Sequence, residues 1–188
     1  MIEERYTIKN ELQKDESHTL YEAFDEIFER DVELLETDDL MHLHEMVEKI
    51  FKETSIFHYY SAFIEHTTVY YVIKGTPEVT CVKSMPLDDE GLTALMDGFD
   101  GLLNSYHKKG LYFKHLSLEW LYVDKEGKYH LLLPACEVNT ISQELGEKEI
   151  YHELYAIMTG KTKVSPQGLD YIKEHYTQSV FEHLTKKI

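Results

Sequence analysis

The chain has 188 residues, 19 of them basic and 35 acidic, for a net charge of −16 with histidines neutral. That balance argues against a nucleic-acid binder, whose affinity comes from Lys and Arg neutralising phosphates, and against a lipid-headgroup binder; it suits a protein that meets a basic partner. A chain of this length buries roughly 70% of its unfolded surface, enough for one core or two small lobes.

Cys81 and Cys136 are the only cysteines, so no disulfide framework is expected and the reading is a reduced, cytoplasmic protein. Residues 1–5 lack the basic and apolar regions of a signal peptide. The densest apolar stretch, residues 55–73, is interrupted by His58, Glu65, His66, Thr67 and Thr68, so membrane insertion is not expected.

In chain order, residues 6–12 and 19–24 read as two strands around a polar turn, Lys14-Asp15-Glu16-Ser17, and residues 31–35 as a third. Thr37, Asp38 and Asp39 then open a helix whose apolar positions are Leu40, Leu43, Val47, Ile50 and Phe51. His42 and His44 lie two apart and face different sides of that helix, and Glu48 rather than His follows His44 by four, so no metal site is expected. Residues 57–65 and 68–74 form an antiparallel pair rich in aromatics (Phe57, Tyr59, Tyr60, Phe63, Tyr70, Tyr71). Burial against the preceding helix is the favoured role for these rings, a ligand platform the alternative. Gly75-Thr76-Pro77 punctuates the end of the sheet.

The second half opens with a helix start at Pro86-Leu87-Asp88-Asp89 and an apolar stripe of Leu92, Leu95, Met96, Phe99, Leu102, Leu103 and Tyr106. Residues 110–135, GLYFKHLSLEWLYVDKEGKYHLLLPA, hold a loop and two strands, 121–123 and 129–133. Asp124-Lys125-Glu126-Gly127 joins these strands, with Gly where positive φ is needed. A helix over residues 147–160 ends at Gly160 as C-cap. A single last helix opens at Ser165-Pro166 and carries Leu169, Ile172, Tyr176, Val180, Phe181 and Leu184.

Two of these stretches resemble protein kinases. The run YTIKNELQKDESHTLYEAFDEIFERDVELL is similar to the first three strands of a kinase small lobe, with Leu12, Leu20, Tyr21, Ala23, Arg30, Val32 and Leu34 at matching places. The stretch from Gly110 is similar to the catalytic loop and the strand pair after it, through Gly110, Leu116, Glu119, Leu121, Asp124, Gly127 and Leu131. Leu154, Tyr155, Thr159 and Gly160 fit the family's L-Y-x-x-x-T-G helix end. The resemblance covers about residues 5–160, and no A-P-E segment follows it. It implies an α+β, protein kinase-like fold. A small antiparallel-sheet lobe with one helix would span residues 1–74, and a reduced, mainly helical large lobe residues 75–188.

The same correspondence implies that the chemistry is gone. Gln13, Asp15 and His18 stand at the three glycines that let backbone approach the phosphates. Leu35 stands for the strand-three lysine, so Glu45, placed like the glutamate of the regulatory helix, lacks its usual partner. His115 stands for the proton-accepting aspartate, Trp120 for the magnesium-binding asparagine and Leu133 for the second magnesium ligand. Magnesium takes hard oxygen ligands, and phosphoryl transfer depends on positioning and on cations. The expectation is therefore a pseudokinase, not an enzyme, with no cofactor, no metal and no magnesium nucleotide. It would act through a protein partner or self-association as scaffold or regulator, with Gln13, Asp15, His18 and Glu45 as a vestigial cleft. Trp120 is expected to fill that cleft rather than stack on a ligand. Bacterial pseudokinase domains of this reduced kind look similar to the cytosolic part of the membrane-anchored type VII secretion subunit, one concrete assembly role. Two alternatives stand beside this reading: a metal-independent sensor of a nucleotide or other small ligand, and an unorthodox transferase or hydrolase using His115, Lys114 and Glu119.

Overall fold

The computed structural model describes residues 2, 4–38, 56–75, 78–113, 115–136, 138–139 and 145–188. The chain divides into two compact units, one of Met1–Val79 with Leu132–Ala135 and one of Thr80–Leu131 with Cys136–Ile188. The class is α+β, with four α-helices among the described residues. The helix expected over residues 40–52, with Glu45, His42 and His44, lies outside the described residues, as do Thr76 and Pro77.

The first unit is built on a five-stranded antiparallel sheet in the order β1-β2-β3-β5-β4. Its strands are β1 (Tyr6–Lys14), β2 (His18–Asp25), β3 (Arg30–Thr37), β4 (Tyr59–Glu65) and β5 (Thr68–Lys74). The central strands show why the sequence reads as it does. Val32, Glu33, Leu34 and Leu35 are all buried in β3, as are Val69–Ile73 in β5, so these two neighbouring strands are covered on both faces. By contrast β1 is an edge strand, exposed from Lys9 to Leu12 and carrying two register shifts, which twist an edge away from further pairing. One sheet face packs Tyr6, Ala23, Val32, Leu34 and Val72 under Ile2, Ile8, Tyr21 and Phe63. Across it Phe63 stacks on Tyr6 (5.4 Å) and on Tyr70 (5.3 Å). Phe57, Tyr70 and Tyr71 are buried, which makes them core. Phe57 sits in a bend before β4 rather than in the strand predicted to begin with it.

The second unit carries a three-stranded sheet, order β6-β8-β9, made of β6 (Val79–Cys81), β8 (Leu121–Asp124) and β9 (Tyr129–Leu131). A two-stranded ladder joins β7 (Tyr112–Phe113) to β10 (Val138–Asn139). Its helices are α1 (Asp89–His107), α2 (Leu145–Thr159), α3 (Pro166–His175) and α4 (Gln178–Thr185). Asp88 caps α1 by accepting the Gly91 N–H at 2.8 Å, and Asp89 and Glu90 fill the first turn. The predicted stripe is buried from Leu92 to Tyr106, save half-buried Leu102. Gly98 has a packing reason: a Cβ there would lie 2.4 Å from the ring of Tyr129. Gly127 (φ 79°) and Gly160 (φ 68°) take the left-handed conformation expected of them.

Two expectations are corrected. The strand predicted over 129–133 ends at Leu131, and Leu133–Cys136 is a 3-10 turn in which the Ala135 N–H donates to the Leu132 carbonyl at 3.0 Å. Pro134 lacks the N–H a ladder would need and fixes φ for the turn. The single last helix is two helices. Tyr176 is extended, and Thr177 caps α4 by accepting from Val180 N–H while its own N–H donates to Asp89 Oδ2 at 3.0 Å. The apolar periodicity runs through this break because α3 and α4 both bury a face, Ile172 on one and Val180 and Leu184 on the other. Among the described residues no helix is long and apolar enough to cross a membrane.

Candidate functional site

In the first unit the hairpin tip closes on itself. The Asp15 carboxylate accepts the backbone N–H groups of Ser17 and His18, each at 2.7 Å, and meets His18 Nδ1 at 3.2 Å. The Asp15 N–H donates in turn to the His18 carbonyl at 2.9 Å. An Asp that binds the amide two residues on is the familiar device for holding a turn. Within this polar turn Asp15 is half-buried and turned inward and His18 is buried at the start of β2, while Lys14, Glu16 and Ser17 stay exposed. Gln13 is half-buried near the end of β1, opposite Leu20. Leu35 lies between Leu20 and Tyr71 on the neighbouring strands and has no exposed surface. Leu133, grouped with this unit, is likewise fully buried. Glu45 is outside the described residues.

In the second unit the loop after α1 turns at Gly110 (φ 73°), continues through β7 and reaches a 3-10 turn, Leu118–Trp120, capped by Ser117. Helix α2 holds this loop. Glu149 Oε2 pairs with His115 Nδ1 at 2.8 Å and accepts the Leu116 N–H at 3.1 Å. One turn on, Glu153 accepts the Leu118 N–H at 3.0 Å. Spacing of four puts both carboxylates on one face of α2. Burial pushes the Glu153 carboxyl up, against the Leu118 amide and the Ser117 hydroxyl that favour its charge. On the other side Lys83 donates to Glu119 Oε1. Cys81 Sγ donates to the carbonyls of Glu119 (3.4 Å) and Leu118 (3.6 Å), and burial pushes its thiol up, which makes it a poor nucleophile.

Trp120 ends the turn with its side chain fully buried. The hairpin that follows is fixed by Asp124, whose Oδ1 accepts from Glu126 N–H and Lys128 N–H, both at 2.9 Å, and whose Oδ2 meets His130 Nε2 at 2.8 Å. The His130 bond, with those two amides, holds the Asp124 carboxyl below the usual range. Compared with the models of known protein families and with curated proteins, the chain matches none.

Chemically the loop is committed to its own structure. Its amides at Leu116 and Leu118, which otherwise would be available to an anion, are taken by carboxylates. His115 keeps 39% of its side-chain surface exposed. Of the trio His115, Lys114 and Glu119, Glu119 points to Lys83, His115 to Glu149, and Lys114 lies outside the described residues. Sequence reasoning missed Glu149, Glu153 and Lys83. The four-residue spacing of the two glutamates was the only available signal, and it says they share a face without saying what they face.

A second polar cluster ties three helices of this unit together. Asp100 of α1 accepts from the Tyr151 hydroxyl (2.7 Å) and Lys187 Nζ (3.0 Å), and meets His183 Nε2 at 3.2 Å. Burial works against the charge on Asp100, yet those donors outweigh it and its carboxyl is held low. Burial and the adjoining carboxylate push the Tyr151 hydroxyl far above its ordinary value, so it stays a donor. With every member partnered, the cluster serves to dock α4 rather than to react.

Proposed function

We propose that the chain is a protein kinase-like fold, reduced in its second half, that has lost phosphoryl-transfer chemistry. It acts in the cytoplasm as a non-catalytic interaction, scaffold or regulatory domain, for instance in a membrane-associated or secretion assembly. The observation that carries this reading is the burial of Leu35, Trp120 and Leu133, each without exposed surface. These are the positions where the resemblance calls for a lysine and two oxygen ligands of magnesium. An alkyl or indole group packed into a core neutralises no triphosphate and coordinates no hard cation. The commitment of His115 to Glu149 adds to it, as do the five-stranded antiparallel sheet of the first unit and the four described helices of the second.

The test is a titration with ATP, with and without magnesium or manganese, followed by melting temperature and Trp120 fluorescence. Anything that binds the folded state alone raises its stability by mass action. No shift at millimolar nucleotide is expected. A saturable shift in either signal would overturn the reading and put a nucleotide sensor in its place.

A further inference from the structure

The turn between β2 and β3, Asp25 to Arg30, exposes two large apolar side chains side by side, Ile27 at 66% and Phe28 at 61%. A turn normally carries polar residues at such positions. This one is built around a fully buried carboxylate. Asp25 accepts two hydrogen bonds from Arg5, at Nε (2.8 Å) and Nη2 (2.7 Å), and the backbone N–H groups of Ile27 (3.3 Å) and Phe28 (3.4 Å). The Glu26 N–H donates to the Arg5 carbonyl at 3.0 Å, and Glu29 closes the turn in the left-handed conformation (φ 49°). The Arg5 and Arg30 guanidiniums flank the Phe28 ring at 5.0 and 4.9 Å, and Arg30 also covers Tyr60 at 3.7 Å. Phe28 is therefore presented in one orientation before any partner arrives, which lowers the entropy lost on binding.

Charge selects the partner. Arg5 is hydrogen-bonded to Asp25 and Arg30 Nε lies 3.6 Å from the same carboxylate, whereas Glu4, Glu26 and Glu29 are exposed around the turn of a chain of net charge −16. Such a rim repels anionic lipid and a second copy of the chain, and attracts Lys and Arg. We propose that this turn is a preformed docking knob for a basic amphipathic segment of another protein. The apolar stripe of that segment would receive Ile27 and Phe28, and its cations would meet Glu26 and Glu29. The proposal rests on the reading of the chain as an interaction domain.

The probe is a fluorescent amphipathic helical peptide made only of Lys and Leu, titrated with the full chain by anisotropy. Phe28→Ser and Ile27→Ser should each weaken binding about tenfold or more, as loss of a central apolar anchor does. Their melting temperatures should stay unchanged. Leu12→Ser, at another exposed apolar position of the same sheet, should leave affinity intact, and Glu29→Gln should lower its salt dependence. Equal binding by wild type and Phe28→Ser overturns the proposal, since only unspecific charge attraction would remain. So does equal binding of a Glu–Leu peptide, Phe28-dependent binding to phosphatidylserine vesicles, or a dimer in sedimentation that Phe28→Ser dissolves. A nucleotide-induced shift would instead sink the non-catalytic reading while leaving the peptide result standing, so the two failures are told apart.

Discussion

Replacing Asp25 by Ala tests the physical core of the first unit. The substitution deletes a fully buried carboxylate that accepts four hydrogen bonds, and it strands Arg5, whose side chain keeps 23% exposure. Breaking a buried ion pair by removing one partner costs about 3–5 kcal/mol. Partial access of water to Arg5 places the cost near the lower end, about 3 kcal/mol, or roughly 6–12 °C in melting temperature for a chain of this size. Thermal and urea unfolding at pH 7 measure it. The double variant with Arg5→Ala should be less destabilised than Asp25→Ala alone, because much of the cost of the single change is the uncompensated guanidinium, which the second change removes. The pH dependence carries an independent check. The Arg5 hydrogen bonds hold the Asp25 carboxyl below its ordinary value, with the turn amides assisting against burial. A depressed carboxyl contributes stability that is fully present above the unfolded value, about 3.9, and is lost as pH falls through the folded one. The gap between wild type and Asp25→Ala should thus be flat from neutrality to about pH 5 and shrink in stronger acid. A loss under about 1 kcal/mol at pH 7, or a gap that persists unchanged into acid, would refute the argument.

Gly168→Ala should be costly although alanine is the better helix former. A Cβ there would stand 1.8 Å from the Tyr155 hydroxyl, so α3 must move off α2, and about 1–3 kcal/mol is expected by urea unfolding. Glu153→Ala should destabilise by about 1–3 kcal/mol at neutral pH through the orphaned Leu118 amide, with faster hydrogen exchange at Leu118 as the local readout. Because burial raises the Glu153 carboxyl, its own contribution is fullest below the unfolded value and declines as pH rises through the folded one, so this loss should be larger in mild acid than at neutrality.

What sequence reading recovered depended on how local each signal was. The α1 stripe, the Asp88 cap and the glycines at 127 and 160 are written within a few residues, and each lies where expected. The two-residue strands β7 and β10 are too short to show any period, so nothing in the chain announces them. The break between α3 and α4 was hidden for a different reason. A Thr cap is a weak punctuation mark beside a continuous apolar pattern, and its force here comes from Asp89, 88 residues away. Asp25 shows the same limit: in FDEIFER it reads as an ordinary turn residue, and only Arg5, 20 residues earlier, makes it a buried anchor. Glu149 and Glu153 reach amides more than 30 residues away, which no spacing rule encodes.

On the proposed reading, the division between letters kept and letters lost has an energetic logic. Gly110, Gly127 and Asp124 direct the backbone through left-handed or hydrogen-bonded turns, a need that persists whatever the chain binds. The lysine, the catalytic aspartate and the magnesium ligands act only on a bound triphosphate; without one they are charged or polar groups set in or near a core, where desolvation makes each unpartnered group costly. Leu35, Trp120 and Leu133 reverse that sign, since burying a large apolar side chain stabilises by about 1.5–3 kcal/mol. Glu149 and Glu153 act in the same sense, bringing negative charge to loop amides that could otherwise face phosphate. Loss of chemistry and gain of stability are then the same substitutions. A chain relieved of its ligand is expected to close the site on itself and to keep its recognition elsewhere, on a rigid exposed feature such as the Ile27–Phe28 turn.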